Sequence, residues 1–195
     1  MSRTNLIVID NFFEDPDAVR EFALSVPYDF VANWPGMRTR GVHPVQSQEL
    51  KEKFEKILNK SITRWDMFDG DSQKQMNTCY QLCLHDDKTW VHHDFTQWAG
   101  VVYLKPGADP NSGTGFFRHK ESGVTVWNKD DPKTEFNKTA AMYDLDKWEL
   151  VAEVKNIYNR LILYRADQYH RSMLPGFGNN YLTGRLTQVF FFDAE

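Results

Sequence analysis

The pentapeptide Trp90-Val91-His92-His93-Asp94 places two imidazoles and a carboxylate at three consecutive positions. In an extended strand, residues 92 and 94 project to one face and residue 93 to the other. His92 and Asp94 can therefore chelate one metal ion, with a third donor supplied from elsewhere. His170 is the candidate: it follows the strongly apolar stretch Leu161–Tyr164. The chain between Asp94 and His170 is long enough for several strands and a return to the same mouth. Two imidazoles and one carboxylate form a facial ligand set that suits non-haem Fe(II) and leaves three positions open for reactants. A His-x-Asp pair alone is common on protein surfaces. Its weight here comes from His170 and from an arginine leading into the last apolar strand.

That arginine is Arg185, at the head of the run Leu186–Phe192. A cation entering so apolar a segment is costly if buried without a partner. Its planar fork can bind a carboxylate with two parallel hydrogen bonds. The alternative is a strand-end arginine whose stem lies along the apolar surface with its head in water. Thr187 shares a strand face with Arg185 and can add a hydroxyl to the same carboxylate. Tyr103 can add a phenol to it, or serve as a core aromatic. No catalytic residue is assigned beyond the metal donors, because such chemistry needs no general base.

The elements that position these residues follow from periodicity. Leu6 to Ile9 reads as an opening strand. Asp15-Pro16 starts a helix whose apolar stripe is Ala18, Val19, Phe22 and Ala23. Residues 27–44 are irregular, with a turn at Trp34-Pro35-Gly36. A second helix runs from Ser47, which can cap it, to about Lys60, burying Leu50, Phe54, Ile57 and Leu58. From residue 75 the period changes to that of strands. These are expected over 77–84, 90–94, 100–104, 115–118, 123–127, 160–164 and 186–192, with 148–154 favoured as another. The implied fold is α+β and mainly β. It is a double-stranded β-helix, or jelly roll, over residues 75–195, with residues 1–74 as a helical support packed on one side. The whole chain, 1–195, reads as a single domain.

Composition narrows the function. The chain has 195 residues, 41% of them hydrophobic and 26% charged, with a formal charge of −4. That balance excludes a disordered chain and gives no basic footprint for nucleic acid. The leading apolar run is too short for a signal peptide and no segment reaches membrane-spanning length. Cys79 and Cys83 lie four residues apart in an expected strand, about 13 Å, too far for a disulfide. A reducing, cytoplasmic location with no membrane partner is the expectation. The other histidines read as structural: His85 and His43 in loops, His93 facing away from the metal, and His119 at a basic strand end. Trp98, Trp127 and Trp148 read as sheet-packing aromatics.

These pieces together resemble the 2-oxoglutarate/Fe(II)-dependent dioxygenases, in their prolyl-hydroxylase-like branch. The resemblance rests on His92-His93-Asp94, the runs 99–104, 113–117 and 159–164, His170, and the run 185–192. It covers roughly residues 75–193, and the opening run 8–13 before a helix is also similar. It implies that His92, Asp94 and His170 hold Fe(II). Arg185 would bind the distal carboxylate of the co-substrate 2-oxoglutarate, with Tyr103 as the family's co-substrate tyrosine. The implied activity couples oxidative decarboxylation of 2-oxoglutarate by O2, giving succinate and CO2, to hydroxylation of a peptidyl side chain or a small metabolite. Asp94 sets the chain apart from the halogenase variant, which lacks the carboxylate. The stretches 129–147 and 174–183 depart from the family pattern, on the substrate side. Competing readings are a non-catalytic jelly-roll metal-binding module and a zinc metallohydrolase, which would have no use for Arg185.

Overall fold

A computed structural model describes residues 5–41, 44–68, 75–137, 139–174 and 176–195. His43, expected in a loop, lies outside them. The strands are β1 (Leu6–Ile9), β2 (Met37–Arg38), β3 (Ile62–Arg64), β4 (Tyr80–Cys83), β5 (Trp98–Tyr103), β6 (Thr114–His119), β7 (Trp148–Val154), β8 (Leu161–Arg165), β9 (His170–Ser172) and β10 (Arg185–Ala194). The helices are α1 (Pro16–Ser25) and α2 (Pro44–Leu58). The larger sheet has the order β1-β8-β5-β10-β4-β2, with β3 paired to the far end of β10, and the smaller sheet has the order β7-β6-β9. Every pairing is antiparallel. This is the mainly β, double-stranded β-helix architecture expected from the sequence.

Period-2 alternation splits the larger sheet into two unlike faces. Tyr80, Leu82, Val102, Leu104, Leu161, Leu163, Leu186, Phe190 and Phe192 point outward and are covered by Leu50 and Phe54 of α2 and Ala23 of α1. Each large side chain buried there contributes about 1.5–3 kcal/mol. On the inner face Ala99, Tyr103, Ile162 and Tyr164 meet Phe116 of β6 and Val154 of β7. The space between the sheets lies on this inner side, where the candidate site residues gather. At the start of α1, Asp15 Oδ1 accepts the Ala18 N–H at 3.0 Å, and Pro16 occupies a position whose N–H would be unpaired anyway.

Several elements differ from the sequence expectation. Residues 90–94 and 123–127 do not form strands; each makes a single isolated bridge, His92 with His170 and Val126 with Gln168. Their alternating pattern reflects burial on one side without a continuous partner. The second helix begins at Pro44, so Ser47 lies inside it and does not cap it. Ser47 Oγ instead accepts the indole N–H of Trp65 at 2.8 Å. His119 does end β6 between Arg118 and Lys120, as expected, but its ring is buried against Phe136 and Trp148, with Nδ1 2.9 Å from Ser122 Oγ. The N-terminal residues do more than buttress: β1 pairs with β8, β2 with β4 and β3 with β10.

The turn before β2 depends on one glycine. Gly36 has φ +68°, and a Cβ there would lie 2.2 Å from the Leu82 carbonyl oxygen. Left-handed backbone and a backbone clash act together, so Gly36→Ala should cost about 3 kcal/mol. Thermal unfolding should show Tm lowered by roughly 6–12 °C for a chain of this length. An unchanged Tm would mean that the turn has a cheap alternative conformation.

Candidate metal centre and its cavity

Residues 90–94 run beside 166–170. Val91 N–H donates to Met142 O, His92 and His170 exchange both backbone hydrogen bonds, and Asp94 N–H donates to Ala166 O at 2.8 Å. This ladder keeps the alternation without a full strand. Val91 and His93 turn into an aromatic layer containing Phe117, Trp148, Tyr169 and Trp127, while His92 and Asp94 face a cavity of about 250 Å³. His170, at the head of β9, faces the same cavity.

The three donors converge. One ligand atom from each of His92, Asp94 and His170 lies within 4.8 Å of the others. Asp94 Oδ2 is 3.4 Å from His170 Nε2, and Oδ1 is 3.9 Å from His92 Nε2. The ring orientations are fixed from behind. His92 Nδ1 is 3.0 Å from Trp90 O, and His170 Nδ1 is 2.8 Å from Gln168 O. A carbonyl can only accept, so each Nδ1 carries a proton and each Nε2 is the ring atom left facing Asp94. Such outer hydrogen bonds are how metal-binding imidazoles are oriented. Burial, with the His170 ring beside it, pushes His92 down to about 4, which keeps its imidazole neutral. Burial works against ionisation of Asp94, but the hydrogen bond from His170 and the neighbouring imidazoles outweigh it and hold the carboxyl at about 2. A neutral His92 and an ionised Asp94 are states a divalent metal requires, and the His–Asp–His donor set suits Fe(II).

His93 is positioned as a support. Its ring stacks on Trp127 at 4.4 Å with a 6° interplanar angle, and Nε2 is 3.1 Å from Glu135 Oε1. Glu135 and Asn137 belong to the long polar stretch 129–147, and Asn137 also bonds the His93 backbone on both sides. That stretch holds the back of the 90–94 segment. The 174–183 loop packs elsewhere, through bonds from Gly176 N–H to Asp87 O and from His85 N–H to Gly178 O. His85 is exposed beside Asp86. Trp98 and Trp148 are buried packing residues.

Arg185 and Thr187 line the cavity. Arg185 is 5% exposed; its Nε donates to Ser112 O at 3.3 Å and its guanidinium lies 5.7 Å from the Tyr103 ring centre. Tyr103 is fully buried, its hydroxyl paired with Thr114 Oγ1 at 2.8 Å, and Thr114 is on the cavity wall. Register explains the grouping: Tyr103 pairs with Thr187, Thr187 with Gln81, and Gln81 with Arg38, so one polar row crosses four strands on the inner face. Arg38 on β2 was not anticipated. It sits in the irregular 27–44 stretch, where two strand residues give no periodic signal. Trp34 and Trp90 also line the cavity, and nothing in their spacing marks them.

Comparison with known proteins covers nearly the whole chain. The model of a family of unknown function, DUF6445, matches residues 1–192. No curated protein matches the sequence. Among solved structures, HygX from Streptomyces hygroscopicus with nickel, 2-oxoglutarate and hygromycin B bound is similar at 11% identity and a TM-score of 0.61, over 97% of this chain and 82% of that one. A prolyl hydroxylase from Trichoplax adhaerens, in complex with a hypoxia-inducible-factor oxygen degradation domain peptide, is similar at 11% identity and a TM-score of 0.55, over 96% and 83%. A prolyl-4-hydroxylase from Pseudomonas putida is similar at 12% identity and a TM-score of 0.51, over 96% and 91%. The fold of the 2-oxoglutarate/Fe(II)-dependent dioxygenases, expected from the sequence resemblance, is the fold found.

Proposed function

The chain belongs to the DUF6445 family, and we propose that it is an Fe(II)- and 2-oxoglutarate-dependent oxygenase that hydroxylates a C–H bond of a small molecule or a peptidyl side chain. The observation that carries this reading is the convergence of His92 Nε2, Asp94 and His170 Nε2 in the cavity that Arg185 also lines. His92, Asp94 and His170 would hold the iron on one face. Iron with 2-oxoglutarate and O2 supplies the oxidising chemistry when bound. The chain's own residues do the positioning. Arg185, and Thr187 two residues on, would receive the distal carboxylate of the co-substrate, with the Tyr103 ring against the guanidinium. The apolar walls at Val101, Val189 and Phe191 exclude water from the reacting centre.

A zinc hydrolase needs only a water in its open position, and a buried arginine in the cavity would have no task there. The chain reads as one unit, because strands from its first 74 residues pair within the larger sheet. Cys79 and Cys83 are buried free thiols, which supports a reducing, cytoplasmic location. Among the described residues no helix is long and apolar enough to cross a membrane.

Anaerobically iron-loaded protein, exposed to O2 with 2-oxoglutarate, should release succinate, and omission of iron should stop it. Titration of Mn(II)-loaded protein with 2-oxoglutarate should show saturable binding. No succinate and no binding would exclude the reading.

A further inference from the structure

Arg38 is a second buried cation in the cavity. It is 7% exposed, and its Nε donates to Gln81 Oε1 at 3.2 Å. Gln81 is itself fixed, its amide donating to Pro35 O at 2.7 Å. The Arg38 guanidinium lies 4.3 Å from the Trp34 ring centre and 5.3 Å from that of Phe191. Among the described residues no carboxylate forms an ion pair with it. Burial presses against its charge, and the Cys79 and Asp94 side chains work in the opposite direction. The indole N–H of Trp34, on the same wall, is buried and has no acceptor. A buried guanidinium held through one nitrogen, next to an orphaned donor, is costly unless something fills the place.

Charge points to what fills it. Three arginines and one carboxylate, Asp94, line the cavity. On the oxygenase reading, Fe(II), Asp94 and Arg185 together balance the two charges of 2-oxoglutarate. Arg171 already donates Nε to Ser172 O and Nη2 to Met173 O. Of the two cations that remain, Arg171 is only half-buried and bonds only neutral carbonyls, and Arg38 is the buried one with no ion-pair partner among the described residues. Register sets it two strands and two residues from Arg185, about 12 Å between Cα atoms, so the two can serve different anions.

We infer that Arg38 is the docking site for the carboxylate of the primary substrate, a monoacid whose apolar body lies along Trp34, Trp90 and Phe95. This rests on the oxygenase reading and deepens it. A single guanidinium with one indole donor matches a monoanion, because a second cation would be expected for a dianion.

The test uses full-length protein loaded with Mn(II) and saturating 2-oxoglutarate. Matched acids and amides are titrated by calorimetry: 3-phenylpropanoate against 3-phenylpropanamide, octanoate against octanamide, and N-acetyl-leucine against its amide. Acids should bind about tenfold or more tighter than their amides, the scale of a charge-assisted bond pair. Arg38→Met should erase that preference, and Arg38→Gln does the same duty if the Met variant fails to fold. Arg185→Met should weaken 2-oxoglutarate binding and leave the acid preference in place. Acids and amides binding alike, or not at all, across the panel would overturn the inference. So would a preference that survives Arg38→Met, or loss of 2-oxoglutarate binding on Arg38→Met but not on Arg185→Met. Failure of the wild-type protein to bind 2-oxoglutarate is a separate result that removes the oxygenase reading itself.

Discussion

Asp94→Ala should abolish iron-dependent succinate formation. Its carboxylate lies between the two imidazoles, 3.9 Å from His92 Nε2 and 3.4 Å from His170 Nε2. Removing it takes away one of three donors and the only anionic one among them. Loss of outer-sphere partners alone typically costs 10–100-fold in metal affinity, so loss of the ligand itself should weaken Mn(II) binding by at least about 100-fold. The backbone should hold, because the Asp94 N–H to Ala166 O bond does not depend on the side chain. The measurement pairs a succinate assay with a metal titration and a circular dichroism spectrum. A folded Asp94→Ala protein that keeps wild-type turnover would remove the site assignment.

The second large effect is on co-substrate affinity. Arg185→Met keeps the apolar stem of the side chain and removes the charged fork. A carboxylate left facing the buried end of β10 without its cation loses about 2–5 kcal/mol, which is roughly 30-fold to several thousand-fold in affinity for 2-oxoglutarate. The effect should fall on the 2-oxoglutarate KM, with kcat at saturating co-substrate nearly preserved, because the interaction is made equally before and during the reaction. A collapse of kcat at unchanged KM would instead put Arg185 among the groups that act on the reacting centre. Metal affinity should stay close to wild type, which separates this variant from Asp94→Ala.

Much of the scaffold was legible because local periodicity and burial agree along it. α1 carries its cap and first-turn proline in the sequence, and β5, β8 and β10 are apolar runs with clear punctuation. The 90–94 segment shows where such reading is right for a different reason. His92 and Asp94 do share a face, but one bridge to His170 and bonds to Met142 and Ala166 impose it. Ser47 was misjudged as a cap because it finds a long-range partner, the Trp65 indole.

The amino-acid sequence by itself determined the donor types, their alternation and the strand that carries Arg185. These are short-range properties: side-chain chemistry and a period of two survive any arrangement of the distant chain. Only the tertiary structure decided that Arg38 belongs to the same cavity. Its strand is two residues long and gains its place by pairing with β4, more than forty positions away. Whether a charge is buried depends on everything packed around it, and no local pattern encodes that. The same holds for the stretch 129–147, which reads as polar loop yet supplies Glu135 and Asn137 to brace His93, between His92 and Asp94.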